Sequence, residues 1–331
     1  MSGLVEIRVP DELAGLKSGG VAPVTAESLL LEAPDAHWIL LDAHDALVAR
    51  CSLWWKQVPS HSTEKLGVLG HYAAVDALSA KNLLHHACAQ LAAQGCTMAV
   101  GPMDGNTWRR YRFVTDRGTE PPFFLEPDNP DDWPRHFTSA GFSPLAMYTS
   151  ALNSDLARSD ASAGSHDDPI AAAGISIRHA NAAQMEDELR RIYMTSLASF
   201  QQNFLYTPLD EAEFLAQYRK ILPFVRPEFV LLAERDKQPV AFLFAVPDIL
   251  KVNRKEPNDT IIIKTIAVVP GFSGLGLGTA LVARAQQNAH ELGFKRAIHA
   301  LMHESNRSRN ISHHSAVTMR RYTLFSRLLS S

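Results

Sequence analysis

The sequence has few cysteines and no strong excess of one charge sign. Its 331 residues contain only three cysteines, Cys51, Cys88 and Cys96. Because this number is odd and no CxxC pair occurs, we expect neither a disulfide framework nor a cysteine-bound metal. Lys and Arg number 32 and Asp and Glu 35, for a formal net charge of −3. This total gives no indication of a nucleic acid or an anionic membrane surface as a partner.

Long hydrophobic runs are also absent. No apolar run reaches the length of about 20 residues that a membrane-spanning helix needs. The first residues, "MSGLVEIRVPDEL", lack the basic start and apolar core of a signal peptide. Hydrophobic residues nevertheless make up 46% of the chain and charged ones 20%, which is typical of a globular protein with a core. We therefore expect a cytoplasmic protein without a membrane partner.

One segment near the middle of the chain has the composition of a linker. Residues 153–174, "NSDLARSDASAGSHDDPIAAAG", are rich in Ala, Ser and Asp and contain no aromatic residue. Such a composition without a hydrophobic period is typical of a connecting segment. The sequence therefore predicts a first domain over 1–152, a linker over 153–174 and a second domain over 175–331.

The two predicted domains repeat one pattern. Residues 37–53 and 228–244 each contain two apolar stretches around a charged turn, which predicts a β-hairpin. Residues 83–103 and 281–301 each predict a helix that ends at a glycine and is followed at once by a strand. Because the repeat is far too long for a solenoid, we interpret it as a duplicated domain.

The two copies differ at the connection between a strand and this helix. In the first copy seven residues without glycine, "DALSAKN", separate Val75 from Leu83, whereas in the second copy eleven residues, "PGFSGLGLGTA", separate Val269 from Leu281. A plain turn would need one or two glycines. The second connection fits neither the GxGxxG dinucleotide pattern nor a P-loop, which requires Lys after its second glycine. The remaining interpretation is an anion cradle, in which backbone N–H groups at a helix N-terminus bind phosphate oxygens.

The second connection resembles the acyl-CoA loop of the GNAT superfamily of N-acetyltransferases. That loop follows an apolar strand and V-x-P with [QR]-x-x-G-x-[GA], and this sequence has Val268-Val269-Pro270 and then "SGLGLG" from Ser273. Ser273 departs from the usual Gln or Arg. The predicted order of elements also resembles the family, including a strand "TIIIKTIAVV", a strand "RAIHALM", a short helix opened by "ESNRSRNIS" and a last strand "TMRRYTLFSRLL".

The resemblance implies an α/β (α+β) fold of two tandem GNAT-like domains, each a mixed, mostly antiparallel sheet flanked by helices. It also implies acetyl-CoA as a co-substrate, without a metal. The backbone of Ile266, Ala267, Val268 and Val269 would bind the pantetheine amides, and Asn306 the pantetheine arm. The pyrophosphate would be held by Ser273, Gly274, Leu275, Gly276, Leu277, Gly278 and Thr279. The first domain, which lacks the loop, would be a degenerate copy.

The implied chemistry is direct attack of a primary amine on the thioester, which needs a base for the ammonium and an acid for the leaving thiolate. Base candidates are His303 and Glu304 at the end of the predicted strand "RAIHALM". Family members often use a tyrosine in the helix after the asparagine as the acid. The corresponding region here offers His313 and His314, while Tyr322 lies in the following strand.

Three loop regions outside any periodic pattern, residues 101–114, 121–133 and 199–214, are dense in aromatic and charged residues. We expect them to line a cleft for the acceptor, since binding residues are often carried on loops. The alternative explanation is that these aromatic residues pack the loops onto the core or fill the interface between the two halves. The candidates are Trp108, Tyr111, Arg112 and Glu126 in the first half and Phe204 and Tyr206 in the second.

The predicted function is N-acetyl transfer to a small-molecule or peptide amine whose identity the sequence does not give. Two alternatives remain: an acyl or aminoacyl transferase of another tandem GNAT type, and a non-catalytic acyl-CoA sensor. The protein is expected to be a monomer or a homodimer.

Overall fold

One continuous sheet forms the centre of the fold. The computed structural model describes residues 3–158, 167–305 and 316–329, and fourteen strands of this part join in one sheet. The strands are β1 (Gly3–Ile7), β2 (Lys17–Ser18), β3 (Ala36–Leu41), β4 (Ala46–Trp54), β5 (Leu66–Ala74), β6 (Met98–Gly101), β7 (Phe113–Asp116), β8 (Ser143–Asn153), β9 (Ile175–His179), β10 (Val230–Arg235), β11 (Gln238–Pro247), β12 (Thr260–Val268), β13 (Arg296–His303) and β14 (Val317–Leu328).

Helices cover the sheet. They are α1 (Ala26–Glu32), α2 (Ala77–Ala93), α3 (Trp133–Ser139), α4 (Asp167–Ala172), α5 (Met185–Phe200), α6 (Glu211–Arg219), α7 (Ile249–Asn253) and α8 (Leu277–Glu291). None of the helices in the described ranges is long and apolar enough to cross a membrane.

The predicted repeat is confirmed element by element. The hairpins are the antiparallel pairs β3–β4 and β10–β11, and the two predicted helix–strand units are α2–β6 and α8–β13. The helix predicted near Asp210 is α6, whose first turn is capped by the Asp210 side chain. The last strand is β14. Most of the short helix predicted from "ESNRSRNIS" lies outside the described residues.

The described part of the predicted linker is more ordered than its composition indicated. A 3-10 turn spans Leu156–Arg158, and α4 lies within the segment. Leu156 and Ile170 are buried and join the apolar cluster beneath α8. Their burial gives this polar stretch fixed positions on the second half, which composition alone did not predict.

The two halves exchange their last strands. Along the sheet the order is β1-β3-β4-β5-β6-β14-β8-β13-β12-β11-β10-β9. Strand β8 of the first half pairs with β13 of the second, and β14 of the second half pairs with β6 of the first. β8 and β14 also pair with each other at the centre. Each half of the sheet is therefore completed by a strand from the other half.

The two faces of the sheet are covered by different helices. Along β12, Ile261 and Ile263 pack into the cluster that contains α8, whereas Ile262 and Ala267 pack into the cluster that contains α5 and α6. Neighbouring strand residues point to opposite faces, so α8 lies across the sheet from α5 and α6. The site described below uses both faces.

A parallel pair of strands separates within each half. β12 and β13 pair in parallel from Thr260 opposite Arg296 to Ile263 opposite His299. Beyond this point β12 stays paired with β11, with a register shift that leaves Lys264 as an extra residue, while β13 stays paired with β8. Such a bulge bends a strand and often occurs beside active sites. The separation opens a gap between β12 and β13.

Candidate active site

The glycine-rich connection leads from β12 into α8. A 3-10 turn spans Pro270–Phe272, and Gly276 is the N-cap residue of α8. Gly274 and Gly276 have φ of 92° and 77°, in the left-handed region that side chains other than glycine rarely adopt. These two glycines are therefore required by the backbone itself.

Several consecutive backbone N–H groups lie together at the N-terminus of α8. Among the described residues, none accepts a hydrogen bond from the N–H of residues 274–279, whereas those of Phe272 and Ser273 are bonded within the 3-10 turn. A Cβ added at Gly271 or Gly274 would meet nothing within 4 Å. Unpaired N–H groups at a helix N-terminus attract anions. The predicted pyrophosphate residues therefore form an open, electropositive cradle that fits this group.

At the N-terminus of the corresponding helix of the first half, a side chain takes the position that an anion would need. Helix α2 is capped by Asp76, whose side chain accepts a hydrogen bond of 2.7 Å from the Ser79 N–H. Here a carboxylate occupies the place that a phosphate would need. The gap beside β5 is also filled, because a Cβ at Gly70 would lie 2.1 Å from the carbonyl oxygen of Met103. These contacts favour the prediction that the first half binds no CoA.

One edge of β12 is open next to the cradle. The N–H of Val269 donates to Val240 of β11 at 2.9 Å. Because backbone groups alternate in an antiparallel pair, the N–H and C=O of Ile266 and Val268 point to the other edge, into the gap. Of the predicted pantetheine-binding residues, Ile266 and Val268 are therefore placed to pair with an extended ligand.

The first half inserts a segment beside this gap on the face of α5 and α6. Residues 120–126 of the loop before α3 contact the second half at several points. The Phe124 N–H donates to Asp248 at 2.9 Å, Arg254 donates to the Pro122 carbonyl at 2.9 Å, and Phe123 is buried among α5 and α6 residues. The segment therefore forms one wall of the second half's cleft.

Glu126, a predicted acceptor residue, is buried in an ion pair. It pairs with Arg320 of β14, and the two side chains are 1% and 0% exposed. The Tyr322 hydroxyl donates to the same carboxylate and lies 2.9 Å from the Ser150 hydroxyl. Burial raises the pKa of Glu126 against the hydrogen bond from Tyr322 and the charge of Arg320. The pKa of Tyr322 is also raised, by burial and by Glu126. This network fixes Tyr322 inside the protein.

Lys264, at the bulge of β12, is a candidate that the sequence reasoning missed. Its Nζ donates to the Leu125 carbonyl at 3.1 Å. Burial and the charge of Arg112 lower the pKa of Lys264 to about 7, against the opposing effect of Glu126. A lysine with such a pKa is half neutral at neutral pH and can accept a proton. In the sequence, its position as the single charged residue of the apolar strand "TIIIKTIAVV" could have indicated this role.

His303 and Glu304 lie at the end of β13. Burial and the charge of Arg112 lower the pKa of His303 against the opposing charge of Glu304, which favours the neutral ring. Its Nδ1 accepts a hydrogen bond of 3.1 Å from the Ser305 N–H, which assigns the ring proton to Nε2. His303 is thus arranged as a donor rather than a base. Glu304 lies 3.8 Å from Arg321 in a partly exposed ion pair.

The aromatic candidates connect the two halves. Trp108 Nε1 donates to the Thr207 carbonyl at 2.8 Å, and the indole contacts Phe200, Tyr206 and Phe214. The Tyr206 hydroxyl is buried without a partner among the described residues. Phe204 is 37% exposed and has its ring 5.8 Å from that of His303. Trp108 thus packs between the halves, whereas Phe204 borders the cleft.

Tyr111 and Arg112 lie where β8 meets the end of β13. Tyr148 of β8 is opposite His303, and their rings contact edge to face at 4.9 Å. The Arg112 guanidinium lies between the rings of Tyr111 and Tyr148, at 3.9 and 4.0 Å. The structure therefore brings Arg112, His303, Lys264 and Glu126 to one region. Asn306, His313 and His314 lie outside the described residues.

Sequence comparison identifies the second half. Residues 186–311 match the model of the acetyltransferase (GNAT) family. The second half of the chain is a GNAT-family domain. No curated protein sequence matches the chain.

Solved structures show the tandem GNAT fold over the full chain. A GCN5-related N-acetyltransferase from Sphaerobacter thermophilus has a TM-score of 0.51 at 11% identity, over 99% of this chain and 96% of that one. A tandem GNAT protein from the clavulanic acid biosynthesis pathway has a TM-score of 0.51 at 12% identity, over 100% and 99%. The predicted fold class, a mixed, mostly antiparallel sheet flanked by helices, is confirmed.

A third similar structure belongs to a longer protein. It contains the GCN5-related glucosamine N-acetyltransferase region of a fungal multi-domain GH3 β-N-acetylglucosaminidase, with a TM-score of 0.57 at 14% identity. The match covers 98% of this chain but only 38% of that one. At these identities the likeness concerns the GNAT fold alone.

Proposed function

We propose that this GNAT protein is an acetyl-CoA-dependent N-acetyltransferase that transfers the acetyl group directly to a primary amine. The observation that carries the proposal is the run of N–H groups at residues 274–279 for which the described part of the chain offers no acceptor. It lies beside the open edge of β12 at Ile266 and Val268. A pyrophosphate fits the former and an extended chain of amides the latter. The N-acetyltransferase names of the similar structures support the same reaction class.

The proposed reaction forms a C–N bond at the thioester carbonyl and breaks the C–S bond. The attacking amine loses a proton, and the leaving thiolate gains one. Lys264, with a pKa of about 7, is the proposed base, and the proton that it takes from the amine would pass to the thiolate. The neutral ring of His303, with its proton assigned to Nε2, would donate a hydrogen bond to the thioester oxygen. Tyr322 is a weaker candidate for the acid because its hydroxyl is already bonded to Glu126.

The first half would contribute to the acceptor side. Residues 120–126 and Arg112 approach the cleft of the second half from the face opposite α8. Entry of the amine from this face would leave the α8 face to the CoA nucleotide. The first half would thus support acceptor binding without a cofactor site of its own.

Isothermal titration of acetyl-CoA into the wild type and two glycine variants tests the cofactor site. Gly276→Trp places a large side chain in the cradle. Gly293→Trp is the matched control, because Gly293 has φ of 87° at the other end of α8 and a Cβ there meets nothing within 4 Å. Wild type and control should bind with a dissociation constant of about 1 μM, near −8 kcal/mol, and Gly276→Trp should not bind.

The other outcomes separate the alternatives. Equal losses of acetyl-CoA affinity in both variants would indicate that tryptophan at a position of positive φ disturbs folding. Absence of binding by the wild type would refute the acyl-CoA assignment. Binding without release of CoA thiol on a broad amine panel would favour the non-catalytic sensor.

A further inference from the structure

Arg112 is a buried arginine with an unusual lack of partners. It is only 6% exposed, and its Nε and Nη1 atoms are buried without a hydrogen-bond partner among the described residues. Arginine stays charged at all ordinary pH values. A buried charge without a counter-ion is unfavourable unless another group compensates it.

A second buried arginine in the same region, Arg320, has hydrogen-bond acceptors for its guanidinium. Arg320 pairs with Glu126 and donates to the carbonyls of Arg117 and Glu120. Among the described residues, the Arg112 guanidinium packs against the faces of Tyr111, Tyr148 and, at 6.0 Å, Tyr322. Ring faces stabilise a cation, but they leave the N–H groups at Nε and Nη1 without acceptors among the described residues.

The nearby charges leave one cation in excess. Glu126, a buried carboxylate of this region, already pairs with Arg320 and accepts a hydrogen bond from Tyr322. The positive charge of Arg112 is felt by its other neighbours, since it helps to lower the pKa of both Lys264 and His303. Within the described ranges no carboxylate forms an ion pair with Arg112. A ligand with a negative charge would supply the missing partner.

The position of Arg112 indicates which ligand this would be. Tyr148, against which Arg112 packs, belongs to the same apolar cluster as Leu205 of the α5–α6 connection. Leu301 of β13 packs against this cluster and against the one that contains α5 and α6. Arg112 therefore lies across the sheet from α8 and its phosphate cradle. An anion at Arg112 would belong to the acceptor and not to the CoA nucleotide.

We propose that Arg112 binds a carboxylate of the acceptor, so that the acceptor is an amino acid or another small amino-carboxylate. The planar guanidinium can hold a carboxylate with two parallel hydrogen bonds. The amine of the same molecule would then face Lys264 and His303. This inference rests on the proposed acetyl transfer for its catalytic part, but binding of the carboxylate can be measured without CoA.

The test compares each amino acid with its decarboxylated amine, for example lysine with cadaverine, histidine with histamine and tyrosine with tyramine. CoA thiol release is measured for the wild type, Arg112→Met and Arg110→Met, where Arg110 is the exposed neighbour in the same loop. In the wild type and Arg110→Met, kcat/KM for the best amino-carboxylate should exceed that of its amine by about tenfold or more. In Arg112→Met the ratio of these two kcat/KM values should fall to about one, chiefly through a higher KM for the amino-carboxylate.

Thermal shifts with the same amino-carboxylates, in the absence of acetyl-CoA, provide the second readout. They should raise the melting temperature of the wild type but not that of Arg112→Met. If Arg112→Met does not fold, Arg112→Lys takes its place, since it keeps the charge but loses the two-pronged geometry.

Two results would overturn the inference: a carboxylate preference that persists in Arg112→Met, or a wild type that neither acetylates nor is stabilised by any amino-carboxylate. Failure of acetyl-CoA to bind would instead refute the proposed function. Carboxylate-dependent stabilisation that requires Arg112 would then still support the site.

Discussion

The lowered pKa of Lys264 predicts that the stability of the protein depends on pH. Burial reduces this pKa from an ordinary 10.5 to about 7. Between these two values the unfolded chain keeps the lysine proton and the native protein releases it. Because the unfolded state then binds more protons, the free energy of unfolding rises with pH in this window. Below pH 7 the lysine is charged in both states, and the native protein carries the full cost of its burial.

The magnitude follows from the width of the window. Each pH unit contributes at most about 1.4 kcal/mol, so the whole range from about 7 to 10.5 is worth up to about 5 kcal/mol. Urea unfolding of the wild type and Lys264→Met at pH 6, 7, 8 and 9 measures this contribution as a difference. Lys264→Met should be the more stable protein at pH 6, and its advantage should shrink by about 1 kcal/mol for each pH unit above 7.

A matched control is available on the surface. Lys81 of α2 is exposed, so Lys81→Met should follow the wild-type pH dependence. The pH profile of kcat/KM adds a functional readout, which should rise through about pH 7 in the wild type if Lys264 is the base. Loss of Lys264 as a general base should reduce the rate by about 10²-fold or more. Parallel stability curves for the wild type and Lys264→Met would refute the buried, shifted lysine.

Two further substitutions test the network and the first half. Glu126→Gln leaves Arg320 buried without its counter-ion and should lower the free energy of unfolding by about 3–5 kcal/mol, measured in urea. The double variant Glu126→Gln/Arg320→Met should regain stability. An unchanged free energy of unfolding in Glu126→Gln would contradict the ion pair. Asp76→Ala removes the cap of α2 and should cost about 1 kcal/mol without changing the affinity for acetyl-CoA in titration. A changed affinity would show that the first half takes part in cofactor binding.

The features that the sequence predicted well depend on neighbouring residues. The hairpins, the two helix–strand units and the glycine connection are each contained in a short segment with a clear period or turn composition. In the glycine connection, Gly274 and Gly276 both have positive φ, a conformation that glycine adopts more readily than other residues. Short sequence patterns were therefore sufficient to indicate an unusual backbone between β12 and α8.

The features that the sequence did not predict depend on distant residues. Glu126 and Arg320 are 194 positions apart, and no local pattern connects them. The exchange of β8 and β14 is equally hidden, because both are long strands with buried centres that would fit either half. Lys264 was overlooked because its apolar strand gave no indication of the bulge that separates β12 from β13.

The strand exchange explains how a half without a cradle can remain necessary to the fold. Removal of the first half would take β8 from between β14 and β13 and expose a long edge of the remaining sheet. It would also remove Glu126, which is the counter-ion of Arg320 within the second half's own last strand. Asp76 and Met103 occupy the first half's helix start and strand gap, so the first half keeps neither feature of the CoA site proposed for the second half. What it supplies is a central strand, a buried carboxylate and the guanidinium of Arg112, which no carboxylate of the described residues pairs with.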